Sequence, residues 1–443
     1  MTRTAVLNST AIELITDALD ILTVADANQP LSAEDQATGL RVFNQMIKLW
    51  QAQGKHLWSL TEAVIPLEKG VNAYTLGPGG SNVANLSDFI STTLAADAAM
   101  SATTITLSSV AGMLGAANTL ASDPADSTTG WATTGSTIAS DGDILTLTNS
   151  GAASGYADYT LTTEFGETYI VDFEYTLGTS AGATFSIEDT IDAATLATLN
   201  LTATASGQLE FTATQNSHAL RFKNDSTTVS EDSLIYSISF KVKDSGDKIG
   251  VLLDDGTRQW SSIVSISGSV VTLNDALTGA ATSANSVYSY TSKIERPLRV
   301  LNARYQDKLS ASEIPTTEWS RERYFNQTDK TSQGTVTQWY YDPQLAQGVL
   351  YVWSTPSSSD AILNITYTRP LEVNTTNADA PDFPSEWFMA LSYNLAAMLG
   401  PRYGVPQPKM QEVKMMAAEY LEDVLGFDSE PVALSIAPTN WNR

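Results

Sequence analysis

Between Lys69 and Arg221 the chain carries neither lysine nor arginine, and serine, threonine, alanine and glycine crowd short alternating strand patterns. A composition break this sharp marks a separate unit set into a chain of ordinary mixed composition. The charge follows the same division. Residues 1–91 hold 5 basic and 9 acidic side chains, residues 92–292 hold 6 and 22, and residues 293–443 hold 13 and 18, so the middle supplies −16 of the net −25. An acidic chain has the wrong sign for holding phosphates by counterion release, so DNA is expected to pass it without being gripped. At about 150 residues per domain, 443 residues leave room for two to four domains.

Cysteine is absent, which removes disulfides, thiolate zinc sites and cysteine nucleophiles together. The only histidines, His56 and His218, are far apart in sequence and give no material for a histidine metal cluster. We expect no metal and no cofactor. No apolar run approaches the roughly 20 residues of a membrane span, and the first ten residues lack the apolar segment of a signal peptide. The expectation is a protein made and kept in a cytoplasm, with no membrane partner.

Both ends read as helical. Thr10 and Glu13 form a capping box ahead of Ile12, Ile15, Leu19 and Leu22. A second helix starts at Ser32, repeats Leu40, Phe43, Ile47 and Trp50, and stops at Gly54. Strands are expected over 57–65 and 73–76. Near the other end, Pro384 and Glu386 open a helix carrying Trp387, Leu391, Leu395 and Met398 that Gly400-Pro401 ends; Pro408 precedes another through Met410, Val413, Ala417, Tyr420 and Val424, closed by Gly426. Each hairpin alone would leave its apolar stripe exposed, so the four helices are expected in one bundle. Residues 427–443, with Phe427, Val432, Leu434, Ile436 and Trp441 at no helical spacing, read as an extended arm.

Strand signals at 335–341, 348–353 and 362–368, separated by turns at Asp342-Pro343 and Thr355-Pro356, predict an antiparallel meander. Strands at 104–107, 249–260, 263–266 and 269–273 predict one small β-barrel, split by residues 115–244. Those residues predict a sandwich with strands at 144–147, 156–161, 169–175, 185–187, 209–211, 220–222 and 234–242. The expected fold is α+β and multidomain. Residues 1–91 and 293–426 form a core of helical bundle and β meander, 92–114 and 245–292 the split barrel, 115–244 a jelly-roll-like β-sandwich, and 427–443 the arm.

Motifs with chemistry are few. Gly178-Thr-Ser-Ala-Gly182 has the pattern of a nucleophile elbow, but a strand follows where the elbow needs a helix, so a Gly-Ser turn is the reading. Asp141-Gly-Asp143, Asp244-Ser-Gly-Asp247 and Asp254-Asp-Gly256 offer oxygens to calcium, but none completes a calcium loop and Asp-Gly is a common hairpin turn. Carboxylate pairs for glycoside hydrolysis have no residue that stands out. His56 follows a helix end, where a dipole contact accounts for it. There is neither a P-loop nor a dinucleotide fingerprint. No catalytic residue is assigned. Trp131, Tyr156 and Tyr159 are candidates for stacking on a glycan, provided that they line one face of the sandwich.

The run Phe43-Asn-Gln-Met-Ile-Lys-Leu-Trp-Gln-Ala-Gln-Gly, the Arg296-Pro-Leu and Arg369-Pro-Leu punctuation, Gln338-Trp-Tyr-Tyr-Asp-Pro, Gly348-Val-Leu-Tyr-Val-Trp and Pro381-Asp-Phe-Pro-Ser-Glu-Trp occur in an order that resembles the head-to-tail adaptors of short-tailed bacteriophages. The resemblance covers residues 5–91 and 293–430. It implies a non-enzymatic virion protein at the head–tail interface, assembled as a twelve-subunit ring under the portal protein. It also implies a DNA channel that continues through the ring, a lower face offered to the tail nozzle protein, and an arm reaching along the portal or a neighbouring subunit. The sandwich departs from the family pattern; it resembles carbohydrate-binding jelly rolls, which makes a glycan-binding surface module the alternative expectation.

Overall fold

The computed structural model describes residues 9–24, 30–53, 57–120, 122–151, 153–191, 194–203, 205–307 and 312–427. His56 and residues 428–443 of the expected arm lie outside them. The helices are α1 (Ala11–Ile21), α2 (Ala33–Gln53), the short α3 (Arg321–Phe325), α4 (Phe388–Leu399) and α5 (Gln407–Phe427).

Helices from both parts of the chain share one core. Leu14, Ile15 and Leu19 of α1 pack with Phe43, Ile47 and Trp50 of α2, Leu391 and Leu395 of α4, and Met410 and Val413 of α5. At the start of α1 the Glu13 carboxylate accepts the Thr10 N–H at 2.8 Å, and at α2 the Ser32 hydroxyl accepts the Asp35 N–H at 3.1 Å. Gly39 permits the close approach of α1 and α2, since a Cβ there would lie 2.5 Å from Ile15 Cγ2. The two ends of the chain are also tied directly, because the N–H groups of Ala11 and Ile12 donate to Asp379 and Asn377 carbonyls. Asp379 shapes that loop: its carboxylate accepts N–H and hydroxyl bonds from Thr375 and Thr376, which hold its pKa down at about 2.

Some helix and strand limits move. A 3-10 turn occupies Leu57–Ser59, so the expected strand at 57 starts at Leu60. Another such turn, Ser385–Trp387, precedes α4. Gly426 lies inside α5 and does not end it, because Tyr420, Leu421 and Leu425 pack on the bundle and outweigh the roughly 1 kcal/mol helix penalty of one glycine. Phe427, expected as the first residue of the arm, continues the α5 backbone.

Below the bundle lie two facing sheets, in place of one meander. Gln338–Pro343 pairs with Gly348–Trp353 as expected, but Ala361–Thr368 instead pairs with Leu60–Pro66 and Arg299–Asp307 in the other sheet. The chain changes layer because Thr355–Pro356 pairs in parallel with Gln333–Gly334, and the Thr355 hydroxyl donates to the Lys330 carbonyl. Leu350 and Val352 of one sheet then meet Ala63, Leu363 and Ile365 of the other in a common core.

The next unit is a half-barrel of six strands in the order Ile90–Thr93, Ser286–Tyr290, Lys248–Leu252, Arg258–Ser267, Val270–Leu273 and Thr104–Thr106, whose edges touch at a Leu94–Leu107 bridge. The strand expected over 249–260 is broken by a hairpin turn at Asp254-Asp255-Gly256, with Gly256 at φ +82°. From it rises the sandwich of two five-stranded antiparallel sheets, with Phe173, Phe185, Phe222 and Phe240 between them. Three of its strands were not expected: Trp131–Thr134, Ser136–Ser140 and Thr195–Leu201. All three are edge strands with few fully buried side chains, so the alternating apolar signal is missing there. No helix among the described residues is long and apolar enough to cross a membrane.

Candidate functional site

The groups that the sequence motifs single out are held in structural hydrogen bonds. His218 is fully buried; its Nδ1 lies 2.9 Å from Thr163 Oγ1, and its Nε2 accepts the Thr214 N–H at 3.4 Å. Because Thr163 Oγ1 already donates to the Gln215 carbonyl, the bond pattern places a proton on Nδ1, while Thr214 Oγ1, which donates to Asp189, lies 3.1 Å from Nε2. Burial lowers its pKa, and the Asp189 carboxylate opposes that shift. Ser180 is in the loop before the strand Ala183–Asp189, and its single hydroxyl proton is shared between Gly182 O at 2.7 Å and Asn224 Oδ1 at 2.8 Å. His218 is six residues back along the strand from Asn224, about 20 Å, so the two do not form a nucleophile and base. Asp141 accepts the N–H groups of Asp143 and Ile144, Asp247 accepts that of Leu114, and Asp254 accepts that of Thr282. Among the described residues no group of three histidine, aspartate or glutamate side chains is placed to hold a metal.

The sandwich aromatics fall on two faces. Trp131 pairs with Tyr159 across neighbouring strands, their rings 5.3 Å apart, and both pack inward against the sandwich core. Trp131 Nε1 donates to the Pro124 carbonyl, and Gly130 at φ +89° lets the turn pass close to the Tyr159 ring. Tyr156, three residues from Tyr159 on the same strand, points to the opposite face, where the Arg221 guanidinium lies 4.1 Å above its ring and pairs with Asp158. The condition that the three aromatics line one face is therefore not met. Tyr159 instead borders a recess of about 500 Å³ at one end of the sandwich, with Leu120, Tyr169, Glu164 and Glu167 around it. Those two glutamates carried no motif and were missed.

The junction between half-barrel and core is built on a residue the sequence did not single out. Arg258 is buried; its guanidinium donates to the Gly250, Ser286 and Ser359 carbonyls and to Ser286 Oγ, at 2.8–3.3 Å, and lies 3.9 Å over the Tyr288 ring. Ser359 belongs to the core, so one side chain spans both units. Around it Phe89, Trp260 and Tyr288 pack on Val64 and Ile362. The available signal was an arginine two residues past the Asp-Gly turn, in a stretch with little other positive charge.

The sandwich is attached differently. Leu114 and Asp247, where the chain leaves and re-enters the half-barrel, bond to each other through Asp247 N–H to Leu114 O at 3.0 Å and Leu114 N–H to the Asp247 carboxylate at 2.7 Å. Asn118 and Thr119 then run beside Phe240 with three further hydrogen bonds. Of the five residues expected to touch the portal or a neighbouring subunit, Val432, Leu434, Ile436 and Trp441 lie outside the described residues, and only the backbone of Phe427 is described.

No family model matches this chain, and no curated protein matches it. Solved structures are similar over part of it. A chain from work on the structure and function of CBM4 is 13% identical, with 28% of this chain and 97% of that one covered at a TM-score of 0.23. The CBM22-1 xylan-binding domain of Paenibacillus barcinonensis Xyn10C is 17% identical, over 29% of this chain and 96% of that one, TM-score 0.24. The enzymatically active domain of bacteriophage CBA120 tailspike protein 4 is 13% identical, over 28% of this chain and 21% of that one, TM-score 0.22.

Proposed function

We propose that this chain is a structural, non-enzymatic connector of a bacteriophage virion: a ring adaptor that docks under the portal, continues the DNA channel and attaches the tail nozzle. The observation that carries the reading is that helices from both parts of the chain join in one bundle above a β core, while the half-barrel and sandwich are inserted between them. That layout suits an assembling frame with modules carried on it. The net charge of −25 supports a channel that lets DNA slide, since phosphate finds little to bind. The residue order that resembles the head-to-tail adaptors lies in the bundle and the β core. In this reading the segment 427–443 docks on the portal or on a neighbouring subunit, and twelve copies close the ring. Sedimenting the full chain with portal rings from the same genome tests it: co-sedimentation is expected, and a chain that stays in the supernatant contradicts the connector.

The recess beside Tyr159 favours a second role for the sandwich, contact with a glycan on the host surface. The half-buried Tyr159 ring beside the Glu164 and Glu167 carboxylates suits a neutral sugar, which packs on the ring and donates hydroxyls to the acids. A glycan array probed with the full chain and with Glu164→Ala/Glu167→Ala tests it. Binding that the double variant loses is the expected result, and an array with no binding removes the role.

A further inference from the structure

The bundle presents two unlike faces. On α2, Ala37, Arg41, Gln45, Lys48 and Leu49 point away from the core, Leu49 is 54% exposed, and residues 36–53 contain no carboxylate. Beside them an apolar groove of about 690 Å³ runs between Leu40 and Val373, rimmed by Arg41 and Lys48. On α5, Glu412, Met415, Glu419 and Glu422 form the outward stripe, with Met415 64% exposed; Lys409 pairs with Glu412 at 3.6 Å and Lys414 is exposed beside Met415, so Glu419 and Glu422 carry the acidic charge. A smaller groove of about 290 Å³ lies between α4 and α5, bordered by Met389, Tyr420, Glu386 and Asp423. α5 packs on α4, and α2 packs on α1 and α4, so the two faces sit on different flanks of the bundle.

We propose that copies of this chain associate head to tail, the Arg41–Leu49 face of α2 in one copy seating on the acidic α4–α5 face of the next. The proposal deepens the connector reading and rests on it, by naming the two surfaces that join neighbouring subunits. Charge selects the pairing. A positive apolar face is the exception in so acidic a chain, and the α5 face, where Glu419, Glu422 and Asp423 outnumber Lys414, is complementary to it. An α5 face against another α5 face would set glutamates against glutamates, so the contact pairs unlike faces, α2 of one copy with α5 of the next. Because donor and acceptor faces lie on different flanks, such a contact propagates and closes into a ring when the rotation allows. Leu49, Met389 and Met415 supply the apolar centre that charge alone lacks.

The test uses the full chain and mass photometry, with Arg41→Glu/Gln45→Glu to reverse the α2 face and Glu419→Lys/Glu422→Lys to reverse the α5 face. These positions are exposed, and thermal melts matching the wild type are the control that both variants fold. The wild-type chain is expected to form species larger than a dimer, and each variant alone to associate roughly tenfold or more weakly. Mixing the two variants restores assembly, because every acidic face then meets a basic one. A wild-type chain that stays monomeric, variants that assemble like wild type, or a mixture that does not recover each overturns the proposal. Portal co-sedimentation separates the two claims. Folded variants that still dock as single copies leave the connector standing without these faces, whereas assembled wild type that ignores the portal leaves the faces without the connector.

Discussion

The half-barrel and the sandwich are both inserted into the same frame, yet they are fastened by different physics. The half-barrel is held by a buried arginine that satisfies three carbonyls from two units, and by aromatic rings packed on Val64 and Ile362. The sandwich is held mainly by hydrogen bonds at its stem, where Leu114 and Asp247 lie side by side. Depth of insertion in the sequence thus runs with looseness of attachment: the outer insert has become part of the frame's own core, and the inner one remains a unit with a private core.

The largest effect is expected from removing residues 92–292 and rejoining the chain with a Gly-Ser linker. Val64 and Ile362 lose their cover, so calorimetry should show no cooperative core transition; a core that melts as before would erase the difference between the two inserts. Next comes Arg258→Met, which leaves buried carbonyls unpaired and should destabilise the core and half-barrel by about 3 kcal/mol in denaturant melts, while the sandwich transition stays in place. A shift of less than 1 kcal/mol would mean that the aromatic contacts suffice.

A smaller effect separates the units by pH. The folded-state pKa of His218 lies below its unfolded value, so its contribution is complete above about pH 6.5 and is lost as pH falls below that. The sandwich transition should therefore move to lower temperature between pH 7 and 5. In the bundle, Asp379 is held down at about 2, so its contribution is present above its ordinary carboxylate value and fades only as pH falls toward 2. Both transitions moving together across pH 7 to 5 would contradict independent cores. The smallest effect is expected from excising residues 116–245 with a short linker, because the stem ends already touch; the core transition should shift by less than about 0.5 kcal/mol.

The frame was legible in the sequence because its signals are periodic. The stripes Ile15–Leu22 and Phe43–Trp50 place the bundle, although Leu14 takes the core position expected of Ile12, and the composition break places the inserts. What escaped was whatever depends on which layer a strand joins. Ala361–Thr368 reads as the third strand of a meander, whereas the chain passes through the parallel pairing of Thr355–Pro356 and then joins the facing sheet. The edge strands Ser136–Ser140 and Thr195–Leu201 escaped because an edge needs few buried side chains. The glycan candidates Trp131, Tyr156 and Tyr159 were chosen by residue type; strand parity then put Tyr156 on the other face. Arg258 escaped for a different reason: its hydrogen-bond partners are carbonyls and a serine hydroxyl, and the Asp360 and Glu68 carboxylates that act on it lie far away in the sequence.

The central claim is that the bundle and β core assemble the connector while the sandwich is carried on it. Electron microscopy of the chain lacking residues 116–245, mixed with portal rings from the same genome, tests this most directly. Rings seated under the portal, as with the full chain, are the predicted result; a folded truncated protein that no longer docks, while the full chain does, would place the sandwich in the assembling surface and contradict the account.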